Sequence, residues 1–317
     1  MPVLNEERHL KRAVESVLAQ NYPGALDVCL ALGPSTDRTD RDAEQITRAD
    51  SRVRTVANPT GGRSSGLNAA IRATTGEVIV RVDAHCELPP GYITRAVETL
   101  QRTGAVNVGG VQHAVGATSF EQASARALAS PFGMGGARYR TGGTEGPVDT
   151  VFLGVFQRTA IESVGLFDEI VVGNEDYELN IRLRAAGGTV WFDPELRVDY
   201  TPRASLQALA HQFFMYGAWK RTVVRKHPGA TKLRQVAPPL ALLAVVASFL
   251  VSPWLPIALV LPGAYLLAVV AASLVASRRP THIMRLLVIF PAMHGAWAWG
   301  FLRGEPRRSP EPYGADR

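Results

Sequence analysis

A long uncharged stretch of chain, from Gln235 to Ser277, constrains the fold more than any other feature of this sequence. A helix needs about 20 apolar residues to cross the hydrocarbon core of a bilayer, so the stretch has room for two spans. The sequence Ser-Pro-Trp-Leu-Pro at 252–256 interrupts it. We therefore predict a transmembrane helical hairpin with arms at about 236–251 and 256–276.

Basic residues flank this stretch, with Arg225 and Lys226 before it and Arg278 and Arg279 after it. The positive-inside bias places both flanks in the cytoplasm. No basic segment followed by an apolar run opens the sequence, so no signal peptide is predicted. These patterns predict a multi-pass protein of the cell (inner or plasma) membrane whose preceding residues are cytoplasmic.

The formal net charge is +6, which suits an anionic partner. Because the basic residues concentrate beside the apolar stretch, they favour lipid headgroups or a lipid phosphate. No nucleic-acid-binding motif is present, so nucleic acid is not an expected partner. The two cysteines, Cys29 and Cys86, lack the paired spacing of zinc ligands, and we expect two buried free thiols.

The patterns divide the chain into four parts. Residues 1–205 alternate helix and strand patterns, and residues 206–234 have the amphipathic, basic pattern of an interfacial helix. Residues 235–302 form a membrane domain that adds a third apolar segment, which either spans the membrane or lies in its interface. The Pro/Arg-rich tail at 303–317 is expected to be disordered.

Short apolar runs and amphipathic patterns alternate within the first part. The runs at 26–32 and 77–82 predict buried strands, and Thr39 to Ala49 predicts a helix. Such alternation at short spacing is typical of an α/β fold with a mostly parallel sheet flanked by helices. Residues 109–146 are rich in Gly, Ala and Ser, and we predict a loop there with one helix.

A series of short motifs follows the predicted strands. They are Pro2-Val3-Leu4-Asn5-Glu6, Ser35-Thr36-Asp37, Gly66-Leu67-Asn68-Ala69-Ala70, RVDAH at 81–85, and Gly173-Asn174-Glu175-Asp176. Their order and spacing resemble the family 2 glycosyltransferases, whose catalytic domain has the nucleotide-diphosphosugar transferase (GT-A-like) fold. The RVDAH variant and the C-terminal apolar stretch look closest to the succinoglycan-type exopolysaccharide members.

The resemblance implies that Glu6, Asp37, Asn68 and Asp83 bind the nucleotide-sugar donor, and that Asp83 and His85 hold a metal ion. The departing diphosphate develops negative charge that a divalent cation neutralises. Carboxylate oxygens suit Mg²⁺ or Mn²⁺, and imidazole is acceptable to Mn²⁺. The plain alternatives are that Asp83 caps a turn, that His85 packs locally and that Asp37 forms a turn.

Inversion at the sugar carbon needs a base to take the proton of the acceptor hydroxyl. Asp176 is the candidate base and Glu175 the second choice, although acids are favoured in the first turn of any helix. Candidate acceptor residues are Gly154, Trp219 and Lys220. Packing of the glycine and an interfacial role for the other two are the plain alternatives. Arg63 either meets the diphosphate or is a solvated loop arginine.

The sequence departs from the family pattern at three places. The family has a first strand before its Pro-x-x-Asn-Glu motif, whereas here the motif follows Met1 directly, and we expect a truncated first strand and an internal methionine at position 1. Residues 31–34 lack the acid that contacts the base in the family. His85 replaces the second Asp of the family's Asp-x-Asp motif, which favours Mn²⁺ or weakens metal affinity.

These features predict an inverting, metal-dependent, hexosyltransferase-type glycosyltransferase. It would move a sugar from a nucleotide-sugar donor to a membrane acceptor, polyprenyl-linked, in polysaccharide or glycolipid synthesis. Two alternatives stay open. One is a polyprenyl-phosphate sugar synthase, in which the lipid phosphate is the acceptor. The other is a non-catalytic membrane scaffold that retains the fold.

Overall fold

The computed structural model describes residues 1–230 and 233–304. Most of the predicted tail at 303–317 and two residues of the predicted interfacial segment therefore lie outside the described residues. The described chain forms two compact units. The first comprises residues 1–113 and 142–200, and the second comprises residues 114–141 and 201–304.

Strands and helices alternate through the first unit, and helices make up the second. The strands are β1 Pro2–Val3, β2 Val28–Leu32, β3 Val53–Ala57, β4 Val78–Val80, β5 Asn107–Ala114, β6 Gly146–Pro147, β7 Phe152–Gln157 and β8 Val190–Tyr200. The helices are α1 Leu10–Leu18, α2 Thr39–Ala49, α3 Arg63–Arg72, α4 Tyr92–Thr103, α5 Ser119–Leu128, α6 Pro131–Met134, α7 Arg138–Thr141, α8 Arg158–Ser163, α9 Glu175–Ala185, α10 Leu206–Lys226, α11 Leu233–Val251, α12 Val260–Ala276 and α13 Pro280–Arg303.

The strands form two sheets in the first unit. β1, β2 and β3 pair in parallel, with the two residues of β1 opposite Ala31 and Leu32. The second sheet has the order β4-β7-β5-β8-β6, and β7 runs antiparallel to both β4 and β5. The prediction of a mostly parallel sheet was wrong for this second sheet. An apolar run does not reveal strand direction, which the intervening connection decides.

Strand β5 lies where the sequence predicted a loop. Its two glycines are needed because neighbouring strands come very close. A Cβ atom on Gly110 would lie 1.7 Å from the carbonyl oxygen of Leu196, and one on Gly109 would lie 2.5 Å from that of Phe152. The same glycines that predicted a loop here therefore permit the strand to pair in the middle of a sheet.

Apolar packing places α3, which carries Asn68, beside α9, which begins with Glu175 and Asp176. Leu67 and Ile71 of α3 join Leu179 and Leu183 of α9 in one buried cluster that includes Phe156. Each fully buried side chain of this size contributes about 1.5–3 kcal/mol. This cluster fixes how the start of α9 faces α3.

Two long helices, α10 and α13, pack along each other in the second unit. Glycines allow close approach of the two backbones. A Cβ on Gly217 would lie 2.0 Å from the carbonyl oxygen of Trp297, and one on Gly300 would lie 2.0 Å from that of Phe214. The third apolar segment therefore has one face buried against protein, with Leu286, Ile289, Phe290 and Met293 inaccessible.

Among the described residues, one helical segment, Pro256–Ala276, is long and apolar enough to cross a membrane. It consists of a 3₁₀ turn at Pro256–Leu259 followed by α12. The apolar part of the preceding helix, Gln235–Val251, is shorter. The predicted two-span hairpin is therefore not confirmed, and the structure does not support a multi-pass topology.

Candidate active site

A cleft of the first unit lies where β1, β3 and β4 end. Its walls carry three of the predicted site residues together with a buried asparagine and an arginine of α3. The lining residues are Pro2, Val3, Leu4, Glu6, Asn58, Gly61, Arg63, Asp83, Ala84 and His85. Ligands bind outside the carboxyl ends of strands in open α/β sheets, so the position is that of a substrate site.

The loop that carries Glu6 is tied to the turn after β2. Asn5 has a positive φ of 53°, a conformation that asparagine tolerates better than most residues. Its backbone N–H donates to Ser35 Oγ at 3.1 Å, and its side-chain oxygen accepts from the N–H of Thr36 at 2.8 Å. The N–H of Glu6 donates to Thr39 Oγ1 at 2.7 Å. These bonds hold the loop of Asn5 and Glu6 against the turn that contains Ser35 and Thr36.

Asp37 also ties the turn after β2 to the loop that carries Glu6 and Glu7. Its carboxylate accepts hydrogen bonds from the backbone N–H groups of Thr39 at 3.0 Å and Glu7 at 3.2 Å. Burial raises the pKa of Asp37, but hydrogen bonds from Thr39 and Glu7 outweigh it and lower that pKa below its ordinary value. The structure thus gives Asp37 a positioning contact, and its donor-binding role stays a prediction.

His85 meets Glu6 at the cleft, a contact that the sequence did not reveal. Nδ1 of His85 lies 2.9 Å from Oε1 of Glu6, and both side chains are mostly buried. A carboxylate behind an imidazole fixes the ring's orientation and tautomer, which leaves the other nitrogen, Nε2, for a ligand. Glu6 therefore orients His85.

The ligand atoms of Asp83, His85 and Cys86 lie within 4.8 Å of one another. Burial opposes ionisation of Asp83, but the charges of Arg81 and Arg63 outweigh it and hold its pKa well below the usual range. An ionised carboxylate beside an imidazole is a donor set that fits Mn²⁺. Cys86 is buried and in no disulfide, and its thiol is a soft ligand that a hard cation does not prefer.

Arg81, the first residue of the RVDAH motif and the first after β4, joins the donor-side and acceptor-side acids. The side chain is 5% exposed. Its Nε donates to Asp83 Oδ1 at 3.1 Å, its Nη2 donates to Glu175 Oε1 at 3.1 Å, and its Nη1 lies 3.8 Å from Asp176 Oδ2. Three carboxylates from two separate motifs thus surround one guanidinium group.

The two neighbouring acids at the start of α9 have different surroundings. Glu175 is 1% exposed and also accepts from Nη1 of Arg63 at 2.8 Å. Burial raises its pKa, but Arg63 and Arg81 outweigh burial and lower the pKa. Asp176 is 34% exposed, and burial together with the charge of Glu175 raises its pKa. Such divergent pKa values separate a fixed counterion from a proton acceptor.

Asn68 lies behind the segment that leads to these acids. Its amide donates to the carbonyl of Phe167 at 2.9 Å and to Glu169 Oε1 at 2.8 Å, and it accepts from the N–H of Phe167 at 3.0 Å. Ser64 Oγ donates to the carbonyl of Val171 at 3.3 Å. Helix α3 thus holds this segment in place. The predicted contact of Asn68 with the donor remains a prediction.

The predicted acceptor residues lie in different places. Gly154 accepts a backbone hydrogen bond from Arg81 at 3.1 Å, and an added Cβ would lie 2.4 Å from the ring of Phe156. Tight packing accounts for this glycine. Trp219 and Lys220 are buried on α10, which belongs to the second unit. The acceptor role of Trp219 and Lys220 stays a prediction.

The sequence did not reveal the ion pairs of two arginines, Arg63 and Arg81. Arg63 binds Glu175 and is 13% exposed, so it is not a solvated loop arginine, and its contact with a diphosphate stays a prediction. Arg81 interrupts the run at 77–82 that predicted a buried strand, and a charged side chain in a buried position requires charged partners. That position, two residues before Asp83 on the same strand face, was the feature from which its role could have been predicted.

The fold is shared with a solved glycosyltransferase. The mannosyltransferase PcManGT from Pyrobaculum calidifontis, in complex with GDP-Man and Mn2+, superposes with a TM-score of 0.63 at 18% sequence identity. The match covers 95% of this chain and 84% of that one. The first unit thus defines a nucleotide-sugar transferase fold of the GT-A-like class, as the sequence predicted.

Residues 1–165 match the family model described as Glycosyl transferase family 2. The chain is 32% identical over 308 residues to the succinoglycan biosynthesis protein ExoA of Rhizobium meliloti (strain 1021), which covers 96% of this chain and 93% of that protein. It is 22% identical over 316 residues, 96% of this chain and 95% of the relative, to the dolichyl N-acetyl-alpha-D-glucosaminyl phosphate 3-beta-D-2,3-diacetamido-2,3-dideoxy-beta-D-glucuronosyltransferase of Methanococcus voltae. The chain belongs to glycosyl transferase family 2 and is a glycosyltransferase.

Proposed function

We propose that this glycosyltransferase is an inverting enzyme that moves one hexosyl-type sugar from a nucleotide-sugar donor to a polyprenyl-linked acceptor in polysaccharide or glycolipid synthesis. The observation that carries the proposal is the meeting of Asp83, Glu175 and Asp176 around Arg81. It puts a donor-side acid and an accessible base within reach of one guanidinium. The names of the relatives, one for succinoglycan biosynthesis and one for transfer to a dolichyl-linked sugar phosphate, support the acceptor class.

On the donor side, Asp83 and His85 would hold Mn²⁺ or Mg²⁺, with Glu6 orienting the imidazole through its 2.9 Å contact. A divalent cation there neutralises the charge that develops on the leaving diphosphate. Asp37 supports this side by holding the loop of Glu7. Asp83 stays ionised at neutral pH because its pKa is low, so the ligand set is ready for a cation.

On the acceptor side, Asp176 takes the proton of the acceptor hydroxyl. The hydroxyl oxygen forms its bond to the sugar's anomeric carbon as the bond from that carbon to the diphosphate oxygen breaks on the opposite face, which inverts the configuration. The partial exposure and raised pKa of Asp176 suit a general base. Glu175 is buried between Arg63 and Arg81 and keeps both cations in place.

We assign catalysis to the first unit and membrane attachment to the second, through the segment Pro256–Ala276. Asn68 supports the acceptor side by holding the segment before Glu175. Trp219 and Lys220 remain our candidates for contact with a lipid-linked acceptor.

The test is metal-dependent release of nucleoside diphosphate by the full-length chain, using a panel of nucleotide sugars and an extract of lipid-linked acceptors. The variant Asp176→Asn should lose roughly 10²- to 10⁴-fold in rate, the usual contribution of a general base. Asp199→Asn is the matched control, because Asp199 is 76% exposed on β8. Equal rates for the two variants would remove Asp176 as the base. Transfer onto a lipid phosphate itself would favour the polyprenyl-phosphate sugar synthase instead.

A further inference from the structure

Four exposed arginines gather at one end of the candidate membrane segment in the second unit. Arg126 lies on α5, Arg278 and Arg279 join α12 to α13, and Arg285 lies on the second turn of α13. Nη1 of Arg126 donates to the carbonyl of Ala276, the last residue of α12, at 3.1 Å. This bond brings an arginine from a distant part of the sequence to the end of the apolar helix.

His282 is buried on the first turn of α13, between Arg279 and Arg285 in the sequence. Burial lowers the pKa of His282, and the positive charges of Arg126, Arg279 and Arg285 lower it further. Within residues 1–230 and 233–304, none of the four guanidinium groups forms an ion pair with a carboxylate. The cluster therefore carries positive charge that the described chain does not neutralise.

An apolar cavity of about 450 Å³ opens beside the same cluster. Its apolar lining consists of Phe120 from α5, Leu206 from α10, and Met284, Val288 and Ile289 from α13. Thr281 and Arg285 complete the wall, so Arg285 belongs to both the cavity and the arginine cluster. Met284 is 66% exposed and Val288 53% exposed, which shows that the cavity is open to the surroundings.

We propose that this cavity and the arginine cluster form a binding site for one anionic phospholipid of the surrounding membrane. An acyl chain occupies the apolar cavity, and the phosphate accepts charge-assisted hydrogen bonds from Arg285 and its neighbours. The inference rests on the proposed membrane attachment of the second unit. All of its residues belong to that unit, so it does not depend on the roles assigned to the acids of the first.

The apolar cavity and the arginine cluster together favour a phospholipid over other ligands. A free phosphate would leave the apolar cavity unfilled, and a neutral lipid would leave the arginines without an anion. A phospholipid supplies an apolar chain joined to a phosphate, which matches the way Arg285 joins the cavity to the cluster. The position at the end of a helix long enough to cross a bilayer places such headgroups nearby.

The test is a thermal-melt titration of the full-length chain in a neutral detergent. Phosphatidylglycerol should raise the Tm of the native chain in a saturable way, whereas phosphatidylcholine and inorganic phosphate should not. Arg285→Gln should weaken the apparent affinity for phosphatidylglycerol about tenfold or more, the usual loss of a hydrogen bond to a charged group. Arg41→Gln is the matched control, since it removes the same charge from an exposed position on α2 of the first unit and should leave that affinity unchanged.

A second variant, Val288→Phe, tests the cavity without changing charge, and it should also weaken phosphatidylglycerol binding. Equal affinities for Arg285→Gln and Arg41→Gln would overturn the proposal. Stabilisation by farnesyl phosphate at lower concentrations than phosphatidylglycerol would also overturn it, in favour of an isoprenoid ligand. Reconstitution of the native chain into phosphatidylcholine vesicles is measured separately, so a failure of membrane attachment is distinguished from a failure of this site.

Discussion

Replacing Glu175 with Gln tests the charge arrangement around Arg81. The change keeps the size of the side chain but removes a carboxylate that is 1% exposed and lies 2.8 Å from Arg63 and 3.1 Å from Arg81. Removing one member of a buried ion pair typically costs about 3–5 kcal/mol, because the partner charge stays buried. Arg81 keeps Asp83 and Asp176 as partners, so we expect a value near the lower end, about 3 kcal/mol.

The assay is the thermal unfolding of the full-length chain in detergent, followed by far-UV circular dichroism. For a unit of this size, a loss of about 1 kcal/mol lowers the Tm by roughly 2–4 °C, so Glu175→Gln should lower it by roughly 6–12 °C. Glu162→Gln is the matched control, since Glu162 pairs with Arg158 at 3.0 Å but is 49% exposed. That pair is worth less than about 1 kcal/mol. Similar Tm values for the two variants would refute the reasoning.

Three further predictions concern the base, the metal-binding imidazole and the helix packing of the second unit. Burial and the charge of Glu175 raise the pKa of Asp176, so kcat should fall on acidification through that pKa as the base becomes protonated. Glu175→Gln should move this acid limb of the rate–pH profile to lower pH. An acid limb that does not move would contradict the assignment of Asp176 as the base. Glu6→Gln should weaken Mn²⁺ binding about tenfold by isothermal titration calorimetry, because His85 loses the carboxylate that orients it, and native affinity would remove Glu6 from that role. Gly300→Val should lower the Tm of the second unit by several degrees, because the added Cβ meets the carbonyl of Phe214. Gly295→Val, with open space around its Cβ, should lower that Tm less. The reverse order of the two Tm values would contradict the packing.

Helix and strand positions could be predicted well where periodicity was regular. The bounds predicted for the helix at Thr39–Ala49 match those of α2. Strand direction could not be predicted, because an apolar run is the same in either sense. β5 could not be predicted either, since its glycines are explained only by the backbones of Phe152 and Leu196, which are distant in sequence.

The candidate site could be predicted as a set of residues but not as a set of contacts. The motifs pointed to Glu6, Asp83, His85 and the acids of α9, and the structure places all of them in the first unit. That Glu6 orients His85, and that one arginine joins the donor and acceptor acids, depends on which strand ends meet. Sequence spacing does not contain that information when the residues lie on separate elements.

The stereochemistry of the transferred sugar tests the central proposal most directly. The full-length chain would be supplied with the nucleotide sugar that gives diphosphate release and with its acceptor, and the anomeric configuration of the new linkage would be read by proton NMR. A single displacement with Asp176 as the base predicts a configuration opposite to that of the donor. Retention of the donor's configuration would contradict the proposed mechanism.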